Sequence, residues 1–165
     1  MGGSDAARRG WEVFGSPVSS PVNRGGASTA QVVNLTGTWV LNVEKSRWGK
    51  LRPPLMITVT IDHQEPNLAY LGRLVSAEGE EAGEFEFRGA IDGREYPLRR
   101  SFAEGTVVLR RVNSRTLDSE FKSHDGLWTE FARTSVSGDG RLMRRSVRRD
   151  GPFGRLERTE VYERR

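Results

Sequence analysis

The sequence predicts an all-β protein, an antiparallel up-and-down β-barrel of about 8–10 strands behind an unstructured N-terminal arm. Three observations predict it. From Leu35 onward apolar and polar residues alternate with a period of two. Asp-Gly pairs punctuate the alternating runs at Asp92-Gly93, Asp125-Gly126, Asp139-Gly140 and Asp150-Gly151. No segment of about ten residues or more keeps the 3.6-residue period of a helix.

Residues 1–34 stand apart. They are rich in Gly, Ser, Ala and Pro and include the turn-prone Gly15-Ser16-Pro17 and Arg24-Gly25-Gly26. Trp11, Val13 and Phe14 suit one short amphipathic turn and nothing longer. Such composition buries too little apolar surface to offset the entropy of ordering, so a mobile arm is expected, followed by a barrel domain over 35–165. The arm lacks the 7–15-residue apolar stretch of a secretory signal. Export is therefore not shown by this chain, and localisation stays open: secreted or periplasmic if a signal has been removed, otherwise cytoplasmic.

The strands follow in order. Gly37-Thr38-Trp39 opens the first, with Leu41 and Val43 on the parity of Trp39. Leu55, Ile57, Val59 and Ile61 then alternate with Met56, Thr58, Thr60 and Asp62, the pattern of a strand with one buried face. Gln64-Glu65-Pro66-Asn67 breaks that run, because proline cannot donate to a ladder and asparagine tolerates a turn. Leu68, Tyr70 and Leu74 continue on the next strand, and Phe85 and Phe87 alternate with Glu84, Glu86 and Arg88. Leu117 and Phe121 repeat the pattern against Asp118, Glu120 and Lys122. One strand is ambiguous, since Leu127, Phe131 and Arg133 share one face while Trp128, Ala132 and Val136 share the other. In the last strand Leu156, Arg158, Glu160, Tyr162 and Arg164 share a parity that mixes apolar and polar groups.

Each Asp-Gly pair reads as a type I′ hairpin turn, whose two central positions need φ > 0. Consecutive hairpins make a meander, and closing it removes unpaired edges; a two-sheet sandwich is the architectural alternative.

Composition excludes several classes. There is no cysteine, hence no disulfide framework, thiolate nucleophile or zinc finger. No apolar run approaches the roughly 20 residues of a membrane-spanning helix. The net charge is +4, and of the 26 basic residues only Lys45, Lys50 and Lys122 are lysines, which leaves 23 arginines. Arginine suits phosphate recognition, but these arginines are spread along the chain among acidic residues, so nucleic acid is not the expected partner. The one cluster, Arg144-Arg145-Ser146-Val147-Arg148-Arg149, puts arginines on both faces of a strand and reads mostly as a solvated edge.

Catalytic and metal constellations are missing from the sequence. His63 and His124, the only histidines, lie at strand ends without metal-ligand spacing; His63 reads as a structural imidazole and His124 as solvated. There is no Gly-x-Ser-x-Gly elbow or phosphate-binding loop. Glu80-Glu81 reads as a solvated turn. No catalytic residue, metal ligand or cofactor is assigned.

The segment Leu35-Thr36-Gly37-Thr38-Trp39 through Asn42, Ser46 and Gly49 resembles the opening of lipocalin-like (calycin-type) families of uncharacterised bacterial proteins. Asp92-Gly93-Arg94-Glu95-Tyr96-Pro97, Ser137-Gly138-Asp139-Gly140-Arg141-Leu142 and Val161-Tyr162-Glu163-Arg164 are similar to their later motifs, in order and spacing. The resemblance implies a barrel plugged at one end by Trp39 and Arg164 beside Gly37. It also implies that the Glu44–Pro54 connection, with Trp48, Leu51 and Pro53-Pro54, crosses the opposite mouth as a lid or as a simple closing loop. A filled interior and a cavity are both compatible with the inward residues. The expected function is non-enzymatic binding of a small, largely apolar ligand, with Tyr70, Tyr96 and Arg158 as polar contacts. The alternatives are a pocket cyclase or isomerase acting by preorganising its substrate, and an arginine-rich interaction module.

Overall fold

In the computed structural model residues 31–101 and 103–165 are described. They form ten strands: β1 (Gly37–Leu41), β2 (Met56–Gln64), β3 (Asn67–Val75), β4 (Glu81–Ala90), β5 (Glu95–Arg100), β6 (Gly105–Asn113), β7 (Thr116–Ser123), β8 (Thr129–Val136), β9 (Leu142–Gly151) and β10 (Gly154–Arg164). Each strand pairs with its chain neighbours, and β1 also pairs with β10, giving a closed antiparallel lipocalin-like barrel rather than a sandwich. Among the described residues no helix is long and apolar enough to cross a membrane. Of the expected arm, residues 1–30 lie outside the described residues. In its described part the Val33 N–H donates to the Ser114 carbonyl at 2.8 Å, and Val33 packs against the core.

Parity sets the wall. β2 buries Ile57, Val59, Ile61 and His63 and exposes Met56, Thr60, Asp62 and Gln64. Its β-branched residues suit a pleated surface with one wet face. The ambiguous strand, β8, turns Glu130, Ala132, Thr134 and Val136 inward and leaves Phe131 and Arg133 less buried. Arg133 sits beside its cross-strand partner Asp118, Nε to Oδ1 at 2.7 Å and Nη2 to Oδ2 at 2.8 Å. The core also holds Trp39 and Phe87, the largest fully buried side chains.

The turns depart from the type I′ expectation. Among the described residues none other than glycine has positive φ, so the aspartates do not occupy the left-handed region. Instead Gly126 and Gly140 (φ 73° and 72°) donate their N–H to Ser123 and Ser137 carbonyls, a longer loop ending in a left-handed glycine. The aspartate works by its side chain: Asp125 Oδ1 accepts from Ser123 Oγ at 2.5 Å and from Leu127 N at 2.9 Å, and Asp139 accepts likewise from Ser137 and Arg141. The fourth pair is not a turn at all. Asp150-Gly151 lies inside β9, and Gly151 pairs with Gly154 across a loop at Pro152-Phe153.

The arginine cluster of β9 is not a solvated edge either. β9 is paired on both sides, to β8 and β10, so closure leaves it no edge. Arg145 and Arg149 share the inward parity of Met143 and Val147 and line the interior.

Candidate functional site

Trp39 and Arg164 stack where β1 meets β10. Trp39 is 0% exposed, its Nε1 donates to the Leu35 carbonyl at 2.8 Å, and the Arg164 guanidinium carbon lies 4.5 Å from its ring centroid. The Arg164 stem runs over Gly37, whose φ of 139° is one that residues with a side chain rarely adopt. Arg164 Nη2 also donates to the Asn34 carbonyl at 2.6 Å. Beside this stack His63 is fixed as a neutral tautomer, with Nδ1 accepting from Leu35 N–H at 3.1 Å. Nε2 then carries the proton and donates to Glu65 at 2.7 Å. Burial would raise the Glu65 carboxyl, but bonds from Arg111 and His63 hold it below the usual range. His124 is exposed on its turn.

In an up-and-down barrel alternate connections share an end. The long β1–β2 connection therefore lies opposite the Trp39–Arg164 stack. It is tied to β10 by Arg47 and Thr159, which exchange backbone hydrogen bonds of 2.7 Å in both directions. Its residues Trp48, Leu51, Arg52, Pro53 and Pro54 line a cavity of about 450 Å³ inside the barrel. Ten strands enclose more than the eight that side chains just fill, so the interior is not packed solid.

The cavity wall has two characters. Ile57, Val59, Ile61, Leu68, Leu74 and Phe85, from β2, β3 and β4, make one side apolar. Arg100 from β5, Glu130 from β8, Arg145 and Arg149 from β9, and Arg158 and Glu160 from β10 make the other side ionic. Glu130 is the hub. Its Oε1 accepts from Arg100 Nη2 at 3.1 Å and Arg145 Nη2 at 3.2 Å, and its Oε2 from Arg149 Nε at 2.9 Å and Nη2 at 2.8 Å. Glu160 takes Arg145 Nη1 at 3.0 Å and Arg158 Nε at 3.1 Å. Arg158 Nη2 stands 3.8 Å from Glu130 as well.

Burial would make Glu130 harder to ionise, but the charges of Arg100, Arg145, Arg158 and Arg149 overturn this and hold its carboxyl well below the usual range. Glu160 follows the same balance, burial against Arg145 and Arg158, and is also lowered. Arg145, desolvated but flanked by both carboxylates, is held protonated more firmly than a free guanidinium. Burial lowers Arg100, and raises the phenols of Tyr70 and Tyr162, with Glu160 adding to the rise at Tyr162. Both acids are therefore anions, both tyrosines neutral and Arg145 cationic at neutral pH.

The three expected contacts separate. Tyr70 and Arg158 line the cavity, Tyr70 stacking on Phe87 with ring centroids 5.2 Å apart. Tyr96 is not among the lining residues: its hydroxyl donates to Asp92 at 2.6 Å and its ring meets the edge of Phe87. Sequence reasoning missed Arg100, Glu130, Arg145 and Arg149. Their signal was present in strand parity, since Arg145 and Arg149 alternate with the flanking residues in step with Val147, and Glu130 with Ala132.

The ten strands thus close into a lipocalin-like barrel fold around a half-apolar, half-ionic cavity. The crystal structure of Rv2717c from M. tuberculosis is similar, with a TM-score of 0.52 at 15% identity over 79% of this chain and 92% of that one. A second likeness, TM-score 0.41 at 13% identity over 79% of this chain and 70% of the other, is to the siderocalin Ex-FABP, described as functioning through dual ligand specificities. No protein-family model and no curated protein sequence matches the chain.

Proposed function

We propose that this protein binds a small, largely apolar molecule inside its barrel and performs no chemistry on it. The carrying observation is the cavity of about 450 Å³, within the range of ligand sites and lined on one side by aliphatic and aromatic side chains. Tyr70 and Arg158 stand on its wall as polar contacts, whereas Tyr96 drops out of the proposal because Asp92 takes its hydroxyl. The plug role of Gly37, Trp39 and Arg164 belongs to the same reading, since it leaves the Glu44–Pro54 side as the entrance. Against a catalytic role stands the placement of the two histidines, neither of which lines the cavity.

Titration with N-phenyl-1-naphthylamine, a neutral dye that brightens in apolar surroundings, tests the proposal. Saturable binding at one site is expected. Ser119→Trp, which puts an indole where a small side chain lines the cavity, is expected to abolish it with the strand content unchanged by circular dichroism. Dye binding that survives Ser119→Trp in full would place the site elsewhere and end this reading.

A further inference from the structure

The ionic side of the cavity is not balanced. Its charged lining residues are Arg52, Arg100, Arg145, Arg149 and Arg158 against Glu78, Glu130 and Glu160. Arg52 and Glu78 pair with each other. Among the described residues that leaves four guanidiniums around two carboxylates, a surplus of two positive charges on the cavity lining. On the outer wall Arg73 pairs with Glu84 and Arg110 with Glu120, and all four side chains are wet.

A surplus charge away from bulk water is costly, and a neutral network of the same shape would need only two arginines. The surplus is also well shielded. The Arg100 and Arg158 side chains keep 10% of their surface, Arg149 21% and Arg145 26%, and all four line the cavity. The groups are also held in place: Arg100 lies 4.2 Å over the Phe121 ring, and Arg149 grips Glu130 through two nitrogens. One more donor belongs to the lining, because the Trp48 Nε1–H is buried and has no acceptor among the described residues.

We infer that the ligand is an amphipathic anion, an apolar body carrying one carboxylate, sulfonate or similar oxyanion, with the head among Arg100, Arg145, Arg149 and Arg158 and the body against β2, β3 and β4. This rests on the reading of the cavity as a ligand site. An anionic head neutralises part of the surplus with charge-assisted hydrogen bonds, and the opposite wall buries the body. An apolar body alone uses half the site.

The test is a matched pair of dyes in low-salt buffer. 8-Anilino-1-naphthalenesulfonate shares the aromatic body of N-phenyl-1-naphthylamine and adds one sulfonate. The sulfonate is expected to bind roughly ten- to a hundredfold tighter. Glu130→Gln raises the surplus and is expected to widen that ratio several-fold, whereas Arg158→Gln lowers it and narrows the ratio several-fold. Arg99→Gln on the outer wall is expected to leave both dyes unchanged. The opposite signs separate recognition of charge from mere loosening of the fold. Equal affinities for the two dyes, or a ratio that moves the same way in both lumen variants, overturns the anionic ligand and leaves the apolar site standing. Binding of neither dye removes the ligand site itself.

Discussion

Arg164 and Trp39 face each other across the seam that closes the barrel: they are register partners of β10 and β1, and the guanidinium lies 4.5 Å from the ring centroid. The seam is short, with three register pairs, so side chains there matter. Arg164→Met removes a cation–π contact and the hydrogen bond to Asn34, and is expected to lower stability by about 0.5–2 kcal/mol. Trp39→Ala leaves a cavity at this stack and is expected to lose about 3–5 kcal/mol. Urea unfolding followed by circular dichroism checks both, and an unmoved midpoint for Arg164→Met would show the stack to be idle.

Acid should unfold this protein through its interior. Glu130 and Glu160 have carboxyls lowered from the ordinary 4.5 by their arginines. The unfolded chain then takes up protons before the folded one does. The stability these groups contribute is complete above about pH 5.5 and is lost as pH falls through 4.5 toward their folded values. Glu130→Gln is expected to flatten the slope of stability between about pH 5 and 3, measured by urea midpoints at each pH. An unchanged slope would mean the acid sensitivity arises elsewhere.

Gly72 faces Phe85 across β3 and β4, and a Cβ at Gly72 would stand 1.9 Å from the phenyl Cζ. The ring lies over the glycine, and both Phe85 and Tyr70, its edge-on neighbour, line the cavity. Gly72→Ala is therefore expected to push the ring away from the wall. A loss of about 1–3 kcal/mol and weaker binding of N-phenyl-1-naphthylamine should appear together. Stability lost with dye affinity intact would separate the ring from the cavity.

Gly49 holds the β1–β2 connection against β10. Its φ is 57°, and a Cβ there would lie 2.9 Å from the Glu157 carbonyl oxygen, a backbone atom that cannot rotate away. Gly49→Ala combines left-handed strain with this clash and is expected to lift the loop from β10. Faster amide exchange at Arg47 and Thr159, and faster dye dissociation in stopped flow, are the expected readings. Unchanged exchange at both amides would show that the loop tolerates the methyl.

Much of the wall was legible in the chain. Ile57, Val59 and Ile61 point inward because covalent geometry makes a strand alternate, and no tertiary information is needed for that. The hairpins were legible for a similar reason, although the aspartates act by side-chain acceptance rather than by positive φ. Asp150-Gly151 misled because a local turn signal yields to strand pairing that continues through it. Tyr96 lies outside the lining because its hydroxyl turns to Asp92, a contact that strand parity does not reveal.

The sequence alone therefore determined the alternation of most strands and where most of the chain reverses, and it left the choice between an antiparallel barrel and a sandwich to the pairing of β1 with β10. It could not say that Glu130 collects guanidiniums from Arg100, Arg145, Arg149 and Arg158, because those residues come from three other strands and meet only when the barrel closes. For the same reason Arg144–Arg149 looked like an edge: parity gives a face, but only closure decides whether that face meets water or a cavity. The unfilled volume is likewise a property of ten walls at once, set by how side chains from separate strands meet across the interior.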